Sequence, residues 1–138
     1  MKIKRIVAIL LVLGFSIFMV GCENRITTDE AKEQVNALIT AVSSGDFVEA
    51  EKLLHPGVKT DLEAFFNREE AEEGVDFQAG IEIKRYTGFS SAVYTTEVDG
   101  AKYELDMDIT VGGKDLELSV EMVRNDQGFG ICEIDIDD

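Results

Sequence analysis

From Ala101 to Val111 polar and apolar side chains alternate along the whole stretch. Tyr103, Leu105, Met107, Ile109 and Val111 share one parity; Lys102, Glu104, Asp106, Asp108 and Thr110 share the other. A period of two sends successive side chains to opposite sides of an extended chain, so this stretch specifies a strand with one buried and one wet face. After Gly112-Gly113, a turn signal, the alternation returns: Leu116, Leu118, Val120 and Met122 against Asp115, Glu117, Ser119 and Glu121. "NDQG" turns the chain again, and Gly128 to Asp137 reads as the last strand. Upstream, Asp99-Gly100 is a hairpin signal. "TGFSSAVYTTEV", Thr87 to Val98, reads as a less regular, bulged strand, and a period of two also runs through Val75, Phe77, Ala79, Ile81 and Ile83.

Before Val75 the period is helical. Thr27 and Glu30 stand at capping-box spacing, and Ala31, Val35, Leu38, Ile39 and Val42 then fall on one face. Gly45 is a stop signal. Asp46 with Glu49 opens a second helix with Phe47, Ala50, Leu53 and Leu54 on its apolar side, and His55-Pro56-Gly57 ends it. Thr60 with Glu63 opens a third, carrying Leu62, Phe65 and Phe66; "NREEAEEG" reads as a solvated face or loop. Helices first and a one-face-apolar meander after them predict an α+β domain: about three amphipathic helices packed on one face of a curved antiparallel sheet of four to five strands.

The first residues carry a different signal. Lys2, Lys4 and Arg5 precede the apolar run Ile6 to Val20, and no acid occurs before Glu23. A basic start and an apolar run of this length read as a secretory signal peptide, since a full membrane span needs about 20 apolar residues. "MVGC", Met19 to Cys22, resembles the lipobox of bacterial lipoproteins. The resemblance implies cleavage before Cys22 and a lipid on its thiol, on the outer side of the cell membrane. The expected organisation is 1–21 signal peptide, 22–26 lipidated cysteine and short tether, and 27–138 a single α+β domain.

The element order of that domain is similar to the cystatin-like fold, in particular the nuclear transport factor 2-like superfamily. The stretches that carry the likeness are "AVSSGDFVEAEKLLHPGV" (Ala41 to Val58), "VDGAKYEL", "VGGKDLEL" and "GFGICEIDI". That superfamily hosts enzymes, ligand binders and interaction domains, so the resemblance does not choose among them.

Charge narrows the choice. The chain carries −15, and losing the three leader cations Lys2, Lys4 and Arg5 would take it to −18. Nucleic acid is excluded as a partner, because phosphates demand cations. Anionic lipid would repel the domain, leaving an acyl anchor to hold it. Eight Phe, three Tyr and the strong periodicity argue for a folded domain rather than an acidic disordered chain.

Candidate chemistry is sparse. The single histidine, His55, lies at a helix stop and reads as a polar cap or turn residue. Without a second histidine no Ser-His-Asp arrangement is available, and no Gly-rich phosphate loop occurs, so the chain reads as a non-enzyme with no cofactor. Acid is abundant: Asp99 to Asp138 holds twelve acidic residues and three basic ones. Asp106 with Asp108, or Asp135 with Asp137, would share a strand face about 7 Å apart. No "DxDxDG" loop exists to shape a calcium site, so the acids read as a solvated sheet face rather than a metal site. Cys132 shares parity with Ile134 and Ile136 and reads as a small buried hydrophobe; with Cys22 lipidated no disulfide is available. A ligand pocket between sheet and helices would draw on Phe65, Phe66, Phe89, Tyr103, Met107 and Met122, residues whose spacing equally suits plain core. The sequence therefore supports a membrane-anchored, non-enzymatic binding or interaction module of the cell envelope. Its acidic face would meet a basic envelope protein or cell-wall component. The rival readings are a small-molecule binder and a cation-binding acidic domain. Oligomeric state is not legible.

Overall fold

The computed structural model describes residues 25–94 and 98–138. The expected leader, Cys22 and the residues next to it lie outside them.

Helix α1, Thr28–Ser43, starts where the spacing predicts. The Glu30 N–H donates to Thr27 Oγ1 at 3.2 Å, and the Thr27 N–H donates back to Glu30 Oε2 at 2.9 Å. Two of the N–H groups that a helix start leaves without partners are thereby satisfied. Helix α2, Phe47–Glu51, is a single turn capped by Asp46. Helix α3 spans Leu62–Glu73 with Asp61 as its cap. The acidic run "NREEAEE" is therefore helix and not loop. Glu and Ala are good helix formers, nothing breaks the run before Gly74, and Gly74 closes it in the left-handed conformation at φ 65°.

The strand expected from Val75 is also corrected. Asp76 accepts the Gln78 N–H at 2.9 Å and folds Phe77–Ala79 into a 3-10 turn, which buries Phe77 edge-on against Phe66 at 5.3 Å. Extended chain begins only at Ile81. From there one long strand, β1 (Ile81–Tyr94), replaces the two that the pattern predicts. Its register against the next strand shifts between Ile83 and Arg85 and between Tyr86 and Gly88, which is why the alternation blurs.

Strands β2 (Gly100–Val111), β3 (Lys114–Asn125) and β4 (Gly128–Asp137) complete an antiparallel meander in the order β1-β2-β3-β4. Gly112 and Gly113, both at positive φ, make the two-residue turn between β2 and β3. Gly100 pairs with Tyr94 and so lies in β2, leaving Asp99 as the last residue of the connection rather than half of a two-residue turn.

Three helices and four strands thus form an α+β unit. Leu105, Met107, Ile109, Leu118, Val120 and Met122 pack against Val35, Leu38, Phe66 and Phe77 in one core. Ile26, read as tether from the sequence, is only 9% exposed and belongs to that core, while Arg124 Nη1 donates to the Arg25 carbonyl at 2.8 Å. No helix among the described residues is long and apolar enough to cross a membrane.

Candidate functional site

The interior between sheet and helices is packed with apolar side chains. One void there measures about 10 Å³ and is lined by nine apolar residues, from Leu38 and Phe66 to Ile109 and Ile136. A water needs about 10–15 Å³ and several polar partners, so that void holds no ligand of metabolite size. A second space, about 160 Å³, lies between α3 and β4 beside Leu62, Phe65 and Ile131. Of the six residues expected to line a pocket, Phe66, Tyr103, Met107 and Met122 are buried core. The Tyr103 hydroxyl is tied to Thr28 Oγ1 at 2.7 Å. Phe65 packs edge-on against Phe66 at 5.1 Å at the margin. Phe89 stands apart, 73% exposed near the far end of β1. The structure brings four of the six together as packing, and Phe65 borders the space between α3 and β4.

The other side of the sheet is where ionisable groups converge. Register places Glu104 opposite Glu121 and Glu121 opposite Glu133, and puts Asp108, Glu117 and Asp137 in a second row. Between the two rows, Asp106 and Asp135 flank Ser119. Like charges opposite one another across strands repel. Three contacts offset part of this. Lys102 Nζ donates to Glu121 Oε1 at 2.9 Å, Arg85 Nε pairs with Asp108, and Ser119 Oγ donates to Asp106 Oδ1 at 2.6 Å. Glu104 has its pKa raised, first by loss of hydration and then by Asp106, Glu121 and Glu133. Period-two reasoning predicts which acids share this face. It does not predict that the Lys102 side chain is only 5% exposed, since alternation reports the side of the sheet and not the depth.

Cys132 departs from its expected role. The register of β3 against β4 slips between Glu121 and Met122, so Ile131 takes the core position and Cys132 sits in a bulge on the polar side. Its thiol lies 3.4 Å from the Glu121 carbonyl and 3.5 Å from its carboxylate. Burial, together with the Glu121 charge, pushes its pKa up to about 12, which makes it a poor nucleophile.

His55 is not at the surface: it is 1% exposed. Asn125 Oδ1 accepts the Gln127 N–H, so His55 Nε2 donates to that oxygen at 2.8 Å, while Nδ1 accepts the Gly57 N–H at 2.9 Å. Nε2 ties the segment after α2 to Asn125 at the end of β3, while Nδ1 closes a local turn with Gly57, so both ring nitrogens are engaged. Among the described residues no three His, Cys, Asp or Glu side chains converge as a metal site.

No protein-family model matches the chain, and no curated protein matches it.

Proposed function

We propose that the chain is a membrane-anchored extracytoplasmic lipoprotein whose folded domain is a non-enzymatic interaction module of the cell envelope, with a cystatin-like arrangement of helices on sheet. The observation that carries the reading is the ordered sequence of basic start, apolar run and "MVGC" ending at Cys22. The working surface is the polar side of the sheet, where Glu104, Glu121 and Glu133 form one row and Asp108, Glu117 and Asp137 another. A partner that brings cations to these rows relieves repulsion that the fold bears alone, so a basic envelope protein fits the surface best. The packing of Phe66, Tyr103, Met107 and Met122 as core weighs against a ligand among those residues. Ile26 is already in the core, so only Glu23, Asn24 and Arg25 separate the anchor from the folded body. Three residues extend at most about 11 Å, which keeps the domain against the membrane.

The test is Cys22→Ala in a bacterial host, followed by metabolic labelling with a clickable palmitate analogue. The unaltered chain should take up label and migrate as the shorter, membrane-bound form, and the variant should remain an unlabelled precursor. A processed, membrane-bound variant would sink the anchor reading.

A further inference from the structure

The two edges of the sheet differ. Strand β4 is closed at Ile131, whose N–H donates to the Leu53 carbonyl at 2.8 Å and whose carbonyl accepts the His55 N–H at 2.9 Å. Beyond that point it carries Glu133, Asp135 and Asp137. Among the described residues nothing pairs with the outer side of β1. The helix layer reaches β1 at Tyr86, where Lys32 Nζ lies 4.5 Å over the ring. Past it, Thr87, Phe89, Ser90 and Ser91 are exposed. Phe89 is 73% exposed although its cross-strand neighbour Leu105 is fully buried. From Tyr86 to Tyr94 the strand has neither charge nor proline, the devices by which sheet edges avoid pairing.

We propose that this edge is a self-association surface. Gly88–Ala92 pairs antiparallel with the same segment of a second copy, about a twofold axis through Ser90. The choice of a second copy follows from charge. Strands β2, β3 and β4 each carry at least three acids, so in a chain of net −15 this is the strand that meets its own kind without bringing carboxylates together. The choice of axis follows from geometry. A twofold normal to the sheet preserves side-chain parity, so one residue must lie opposite itself. Ser90 is the midpoint of the uncharged stretch, and the irregularity between Tyr86 and Gly88 bounds the pairing on one side. Phe89 then faces Ser91 of the second copy, and the two Phe89 rings are diagonal neighbours at about 7–8 Å, within aromatic reach. The contact is isologous and closes as a dimer. It does not depend on the lipid anchor.

Single-cysteine substitutions in the full chain, oxidised mildly in membranes and after detergent extraction, test both pairing and register. The unaltered chain, with Cys22 and Cys132, gives the background. Ser90→Cys should form a covalent dimer, because self-opposed residues lie within disulfide reach. Phe89→Cys and Ser91→Cys should each stay monomeric alone and crosslink to one another when co-expressed. Phe89→Lys should leave the melting temperature of the dilute monomer unchanged and weaken dimerisation by about tenfold or more, through loss of the aromatic pair and addition of like charges. Equal crosslinking at all three positions, no dimer from Ser90→Cys, capture of a different protein, or a dimer indifferent to Phe89→Lys would each overturn the proposal.

Discussion

Gly130→Ala is the most stringent test of how β4 is held. A Cβ built at Gly130 would lie 2.3 Å from the His55 nitrogen and 2.5 Å from the Leu54 carbonyl carbon. Those are backbone atoms and cannot rotate aside, so the 53–55 segment must lift from the strand. Lifting it breaks the His55 N–H bond to the Ile131 carbonyl and the Ile131 N–H bond to the Leu53 carbonyl. It also pulls the His55 ring from Asn125 Oδ1. At about 0.5–1.5 kcal/mol each, three bonds come to about 3 kcal/mol. Alanine recovers about 0.4–1 kcal/mol by restricting the unfolded chain, leaving a net loss of about 2–3 kcal/mol. For a domain of this size that lowers the melting temperature by about 10 °C. Circular-dichroism melts of the purified chain give the shift, and hydrogen exchange at the Ile131 and His55 amides locates it. An unchanged melt with both amides still protected would refute the close-approach argument.

Lys102→Met keeps most of the side-chain volume and removes the charge beside Glu121. It should cost about 3 kcal/mol by urea unfolding, with much of the loss recovered in the double variant Lys102→Met, Glu121→Leu; additive losses would contradict a coupled buried pair. Stability should also rise as pH falls from neutral. Glu104, raised by lost hydration first, and Glu69, raised by the same cause and by Glu72, both have folded values above the ordinary 4.5. A raised carboxyl binds its proton more tightly when folded, so stability grows as pH drops through the folded value and levels off at the unfolded one. Glu30 and Asp115, held low by hydrogen bonds to Thr27 and Lys84 respectively, act oppositely and withdraw stability as pH falls below their ordinary values of 4.5 and 3.8. Melting temperature should therefore peak at about pH 4.5, and Glu104→Gln should raise the pH 7 value and flatten the approach to that peak. A melting temperature that falls steadily from pH 7 downward in the unaltered chain would contradict these assignments.

Local signals carried most of the architecture. Thr27 with Glu30, Gly112-Gly113 and the β2 and β3 alternations are each decided within a few residues, and the structure follows them. The misread elements are those decided at a distance. Val75 to Ala79 alternates like a strand, yet the helix end at Gly74 and the Asp76 side chain turn it into a 3-10 segment. Cys132 has core parity in the sequence and loses it to a bulge that is defined only against β3. The burial of His55 depends on Asn125, seventy residues away, and nothing near "LLHPG" announces it. For the candidate site, the acids sharing a face were legible from parity. The depth of Lys102 beside Glu121 was not, because parity reports the side of the sheet and not how far neighbouring strands cover a side chain.

The two faces of the sheet divide the work the domain can do. One face packs Met107, Met122 and Tyr103 against helices as core, so recognition among those residues would require opening it. The other arranges carboxylates in cross-strand rows that Lys102 and Arg85 neutralise in part, with Ser119 donating a hydrogen bond to Asp106. A ligand that binds the folded chain and not the unfolded one stabilises it by mass action, and on the proposed reading the binding energy would come from relief of repulsion already present. A basic peptide laid across Glu104, Glu121 and Glu133 should raise the melting temperature most where those carboxylates are ionised. Glu104 contributes to that dependence, because lost hydration first and then Asp106, Glu121 and Glu133 raise its pKa. Recognition by the acidic rows thus predicts its own pH dependence: binding strengthens as pH rises toward neutral through the folded value of Glu104, while the stability that its protonation gives the fold declines.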